Sequence, residues 1–157
     1  AMILLTKRQM NKILSHSEGA YPEECCGLLV GQRRCGDIHV CEVHESTNIA
    51  DMPVDRFEID PQLRFDLERR MRRENLDLVG VYHSHPDGPA SPSQTDIERA
   101  WESNLVWLIT AVKGGNAVNT TAHILIGSEL RFEETSLEII AGDSDIGISD
   151  GLDFGYD

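Results

Sequence analysis

GVYHSHPDGPASPSQTD, residues Gly80 to Asp96, decides how the chain is read. The run LDLVGVY that leads into it is nearly continuous in apolar residues, which predicts a strand covered on both faces and ending in His83-Ser84-His85. Residues two apart on a strand point to the same side, so His83 and His85 would share a face and Ser84 would take the other. Two imidazoles on one face suit a single ion. A histidine pair of this spacing is common by itself, however, and the plain alternative is two solvated or hydrogen-bonded strand-end side chains. Pro86, Pro89 and Pro92 then stiffen a loop. SQTD reads as a helix start, with Ser93 as N-cap and Asp96 at the third helical position of a capping pattern. Such a loop can bring the helix N-terminus back over the strand end, where the Asp96 carboxylate would add a third ligand. Two histidines and a carboxylate leave one position of a tetrahedral zinc open, the catalytic rather than the structural arrangement.

Outward from this stretch, the pattern predicts alternating α and β elements around a sheet. MILLTKRQMNKILSHSEGAYP spaces Ile3, Met10, Ile13 and Leu14 near the helical repeat, with Thr6 as N-cap and an end near Gly19. CCGLLVGQ, the turn RRCGD and IHVCEVHES predict a hairpin. NIADMPVDRFEID is a loop with a short extended piece. PQLRFDLERRMRREN starts a helix at Pro61 and spaces Leu63, Leu67 and Met71 along one apolar face, its arginines solvated. After the proline loop, PSQTDIERAWES predicts a helix, and LVWLITAVK, TAHILIG and LRFEETSLEII predict strands. Residues 142–157 hold five Asp and no basic residue in a Gly-rich, aperiodic pattern, which predicts a mobile acidic tail behind a domain spanning 2–141.

Length and charge bound the function. At 157 residues and 40% hydrophobic, the chain fits one globular domain with a real core. A net charge of −13 argues against nucleic-acid and anionic-membrane partners, which demand a basic surface. No apolar run approaches the roughly 20 residues that span a bilayer, and no secretory signal is apparent, so a cytoplasmic protein is expected. Cys25, Cys26, Cys35 and Cys41 do not make a disulfide framework in a chain of this size, and reduced thiols fit a reducing compartment. A zinc knuckle from Cys35 and Cys41 would need His39 or His44 as further ligands and is disfavoured.

A hydrolytic zinc site also needs a base. PEECCG (Pro22–Gly27) fits Pro-x-Glu-x-Cys-Gly, and HSHPDGPASPSQTD (His83–Asp96) fits His-x-His-Pro, six residues, Ser, two residues, Asp. Together these motifs resemble the JAMM, or MPN+, zinc metallopeptidases, in particular their compact prokaryotic group, over most of the chain. The resemblance implies an α/β fold, a curved mixed β-sheet flanked by helices in a cytidine-deaminase-like three-layer arrangement. It implies one zinc ion per chain on His83, His85 and Asp96, Glu24 as catalytic glutamate, and Ser93 helping to hold the oxyanion. Cys26 matches a family cysteine read as packing, and Glu23 inherits no role. It further implies hydrolysis of a peptide or isopeptide bond at the Gly-Gly end of a ubiquitin-like or sulfur-carrier protein. The segment from Asp96 to His123 holds no Cys/His cluster for a second zinc, and the stretches NIADMPVDR and KGGNAVN are short, which favours a small sulfur carrier over polyubiquitin. The run Arg69, Arg70, Arg72 and Arg73 could meet an acidic partner, but a solvated helix face is the simpler account.

Two readings of other classes compete. A non-catalytic MPN scaffold that only binds partners typically lacks part of the ligand set, which this chain keeps. A relative of the RadC-like proteins associated with DNA repair would share the His-x-His-Pro loop, but PEECCG and the acidic charge speak against it. A zinc nucleoside deaminase would show Pro-Cys-x-x-Cys, and none is present.

Overall fold

The computed structural model describes residues 2–100, 102, 104–127, 129 and 131–140. The tail expected over 142–157 lies outside the described residues. The elements run β1 (Met2–Thr6), α1 (Lys7–Ala20), β2 (Cys26–Arg34), β3 (Asp37–Ser46), α2 (Pro61–Met71), β4 (Asp77–Pro86), α3 (Gln94–Arg99), β5 (Val106–Lys113), β6 (Asn116–Ile126) and β7 (Arg131–Ile140).

The mixed sheet curves far enough to close. Its order is β1-β3-β2-β4-β5-β6-β7, and β7 returns to pair in parallel with β1. The β4–β5 pair is parallel, and α3 lies in the crossover between those strands; β2 pairs antiparallel with both β3 and β4. Two apolar clusters line the two faces. One gathers Ile3, Leu5, Met10, Ile13, Leu29, Val79, Tyr82 and Leu108. Helix α1 belongs to this inner cluster and touches β1, β3, β4, β5, β6 and β7. The other gathers Leu28, Val30, Val81, Leu105 and Trp107 under Leu67 and Met71 of α2. A helix therefore covers each side of the sheet, as the resemblance implies.

A bulge in β4 sets which face each histidine takes. Leu29 pairs with Gly80 and Val30 with Leu78, so Val79 is the extra residue. Beyond it, Val81, His83 and His85 point outward, while Tyr82 and Ser84 point inward. Tyr82 is fully buried, and its hydroxyl lies 2.7 Å from Nδ1 of His16 on α1. A Cβ on Gly27 would collide with the Tyr82 ring and with the His44 carbonyl. Gly27→Ala is expected to lower unfolding free energy by about 1–3 kcal/mol through overpacking, read as a lower urea midpoint.

Three expectations need correction. Met2–Thr6 is a strand, whereas the sequence spacing groups Ile3 with helix one and indicates no strand before α1. Ile3 and Leu5 alternate into the core and pair with β3 and β7, so non-local pairing wins over a helical spacing that Ile3 shares with Met10 by coincidence. Thr6 does cap α1, its Oγ1 accepting from Gln9 N at 3.1 Å. Helix α3 stops at Arg99, with Ala100 already extended, well short of the predicted end. Strand β6 begins at Asn116, earlier than the apolar pattern indicated, because its first half is an exposed hairpin arm paired to β5. The four cysteines are free. Arg70 pairs with Glu42 and Arg69 lies over Phe65, while Arg72 and Arg73 are exposed. No helix among the described residues is long and apolar enough to cross a membrane.

Candidate active site

The C-terminal end of β4 and the N-terminus of α3 bring three acceptor atoms together. His83 Nε2 and His85 Nε2 are 3.0 Å apart, and Asp96 Oδ2 lies 3.2 Å from the first and 3.0 Å from the second. Ligand atoms of a tetrahedral zinc, at 2.0–2.1 Å from the metal, lie about 3.3 Å apart, so the triangle has the size of three zinc ligands. Its chemistry agrees. His85 Nδ1 donates to the Pro89 carbonyl at 2.8 Å, which leaves Nε2 with a lone pair. Burial pushes the pKa of His83 down, which favours its neutral ring. Two imidazole lone pairs and a carboxylate facing one point repel one another unless a cation or protons lie between them. The donor set fits zinc.

The electrostatics of Asp96 follow from the same contacts. Burial alone would raise its pKa, but in metal-free protein hydrogen bonds from His83 and His85, whose Nε2 atoms then carry the protons that a cation would replace, hold it well below the usual carboxylate range with help from the Ser93 amide. His85 is depressed by burial and lifted further by Asp96, with a net rise. Asp96 also caps the helix. Its Oδ2 accepts from Ser93 N at 2.9 Å, while Ser93 Oγ accepts from Asp96 N at 3.0 Å. The capping box and the candidate ligand triangle share a residue. Ser93 is half-buried at the N-cap, and the proton of its hydroxyl is left to donate elsewhere.

Glu24 is brought to the same place from the entrance of β2. It offers a carboxylate oxygen within 4.8 Å of a ring nitrogen of both His83 and His85. The residue is 5% exposed, and its Oε1 has no hydrogen-bond partner among the described residues. Burial is the main reason its pKa rises to about 8; Asp96 and Asp55 add to the rise, and His85 and Arg56 oppose it. A buried carboxyl with an unpaired oxygen beside the triangle is placed to exchange a proton with a small molecule there. Glu23 is exposed and takes no part. Cys26 is buried, its thiol pushed up to about 12 chiefly by burial, which makes it inert packing rather than a nucleophile.

Supporting residues around the site were not legible in the motifs. Ser84, between the two histidines, accepts from the Cys25 amide at 2.8 Å, and its own amide donates to the Cys25 carbonyl at 3.2 Å, fastening the Glu24 segment to β4. Asp87 accepts from the Tyr21 hydroxyl at 2.6 Å and the Gly114 amide at 2.9 Å. Phe57 stacks on His83, ring centroids 4.3 Å apart, and Trp107 meets the same ring edge-on at 5.5 Å. Ser84 was visible only as the residue between two candidate ligands, and the other contacts are long-range.

The fold and site can be set beside known proteins. Residues 6–129 match the family described as prokaryotic homologs of the JAB domain. A desampylase of Haloferax volcanii is 36% identical over 132 residues, which is 82% of this chain and 91% of that one. A probable TtuB-protein conjugate cleaving protease of Thermus thermophilus is 37% identical over 79 residues, half of each chain. A protein from Desulfitobacterium hafniense solved in solution has a TM-score of 0.77 at 30% identity, with 89% of this chain and 93% of that one covered. The motifs, the triangle of ligand atoms and these likenesses agree: the chain belongs to the family of prokaryotic homologs of the JAB domain.

Proposed function

We propose that the chain is a zinc-dependent metallopeptidase that hydrolyses the peptide or isopeptide bond after the Gly-Gly end of a ubiquitin-like or sulfur-carrier protein. The observation behind this reading is the convergence of three acceptor atoms with an unpaired buried carboxyl beside them. His83, His85 and Asp96 would hold zinc. When bound, zinc supplies Lewis acidity, ionising water near neutral pH and polarising the scissile carbonyl. Glu24 takes the proton of the attacking water and returns it to the departing amine. Burial raises the carboxyl's proton affinity in the metal-free protein and a cation at the triangle would lower it, opposing effects that suit a group which both takes and returns a proton. Ser93 directs its hydroxyl proton at the oxygen that gains charge as the carbonyl becomes tetrahedral. The pairs Ser84–Cys25 and Asp87–Tyr21 keep the Glu24 segment and the ligand strand in one frame.

The substrate class is supported by the relatives, one of which is named for cleaving protein conjugates. A partner-binding scaffold has no use for an unpaired buried carboxyl, which costs folding free energy without a proton to manage. Purified protein is expected to hold close to one zinc per chain and to cut a fusion of a ubiquitin-fold sulfur carrier after its terminal Gly-Gly, with a chelator abolishing cleavage and added zinc restoring it. Zinc near zero, together with intact fusions and retained carrier binding, would replace the peptidase with the scaffold.

A further inference from the structure

Asn48 lies in the loop between β3 and α2, outside every motif that defines the site. Its carboxamide uses all its hydrogen-bonding capacity. Nδ2 donates to the Glu24 carbonyl at 2.9 Å and to the Arg56 carbonyl at 3.0 Å. Oδ1 accepts from Ala50 N and Glu58 N, each at 3.0 Å. An Asn has two donor hydrogens and two acceptor lone pairs, so the group is saturated and fixed in rotation. Two of its four partners flank Phe57, the residue whose ring covers His83. A third is the backbone of Glu24 itself. The loop closes on Glu24 a second time through the Glu24 amide, which donates to the Pro53 carbonyl at 2.7 Å.

We propose that Asn48 is a positioning residue that fixes Glu24 and His83 relative to each other, tying the Glu24 backbone with one end of its carboxamide and the Phe57 turn with the other. The geometry of His83 makes such a device necessary. His83 Nδ1 is buried with no hydrogen-bond partner among the described residues. A metal-binding histidine is ordinarily oriented by a hydrogen bond from its other ring nitrogen. Here ring packing does that work, from Phe57 on one face and Trp107 at the edge. Trp107 is anchored in β5, whereas Phe57 sits in a loop outside the named strands, where the backbone pairing beside it is the Asn48–Ile59 bridge and the Ile49 amide donating to the Glu58 carbonyl at 3.1 Å. The two backbone bonds that the Asn48 side chain makes on either side of it complete this support and fix its aim.

The inference rests on the proposed peptidase reading only for its kinetic arm. Asn48→Asp keeps the shape and both acceptor contacts but loses both donor hydrogens; Asn48→Ala removes the group without adding charge and serves if the first variant does not fold. With the carrier fusion as substrate, kcat is expected to fall 10-fold or more while KM stays within twofold and zinc content remains near one per chain. Zinc affinity, read by competition with a chromophoric chelator, is expected to weaken at least 10-fold. Backbone amide exchange should quicken over residues 24–26 and 56–58 together and stay unchanged over 106–112. Phe57→Ala should weaken zinc comparably, and the double variant with Asn48→Asp should be little worse than the single ones, because both act on His83 along one chain of contacts. Unchanged zinc affinity, faster exchange on one side only, or additive losses would overturn the proposal. A wild-type protein that binds zinc but cuts no carrier fusion would instead sink the peptidase reading, with the affinity and exchange arms still deciding the role of Asn48.

Discussion

Glu24→Gln is expected to keep zinc near one per chain and to lower kcat by at least about 10²–10⁴, the usual worth of a general acid–base group. Gln has the same shape and cannot take a proton. Because Glu24 stands outside the 3.0–3.2 Å triangle, the loss should leave metal content and KM nearly untouched. The same variant carries a stability signature of opposite sign. In metal-free protein, burial raises the Glu24 pKa from its ordinary 4.5 to about 8. Between these values the folded state holds a proton that the unfolded state has released, so this group makes stability fall as pH rises. At pH 5 Glu24 is neutral in the fold, and Gln should change little. At pH 8 and above the wild type must bury a charge or unfold, and Glu24→Gln should be the more stable by roughly 2–5 kcal/mol. Thermal melts of chelator-treated protein at the two pH values check this. A variant destabilised at pH 8, or one that loses zinc, would make Glu24 a structural or ligating residue and remove the base from the mechanism.

The convergence of His83, His85 and Asp96 was legible in the sequence because the rules behind it are local, whereas Glu24 was singled out only by the motif resemblance. The period of a strand puts His83 and His85 on one face, and a capping box puts Asp96 in the first turn of α3; both hold in the structure. Closing the sheet was not legible. It depends on Met2–Thr6, five residues whose strand character comes only from partners more than thirty and more than one hundred and thirty residues away. The same limit hid the support of the site. Asn48, Ser84 and Phe57 act through contacts between loops and strands distant in sequence, and nothing in NIADMPVDRFEID announces that its Asn grips Glu24. Local rules found the side chains that converge at the candidate site. The atoms that aim them needed the fold.

Asp96→Asn separates the two roles that one carboxylate fills. As a cap, Asn accepts from the Ser93 amide nearly as well as Asp, so α3 should persist, but the melting temperature of metal-free protein at neutral pH should fall because the contacts with His83 and His85 that hold the carboxylate ionised are lost. As a ligand the exchange is severe. It removes the negative charge on which both imidazole nitrogens converge, and with it the contacts that hold this carboxylate ionised. Outer-shell changes alone weaken metal sites by about 10–100-fold, so loss of the charged ligand should exceed about 100-fold and empty the site during purification. Ser93→Ala gives the converse result. It removes the acceptor of the Asp96 amide, costing about 1 kcal/mol of helix stability, and a hydroxyl donor from the reaction, while zinc stays bound. Zinc content, melting temperature and turnover measured on both variants should therefore move in different combinations. If Asp96→Asn keeps its zinc, the metal is held by Glu24 with the two histidines instead, and the base must be sought elsewhere.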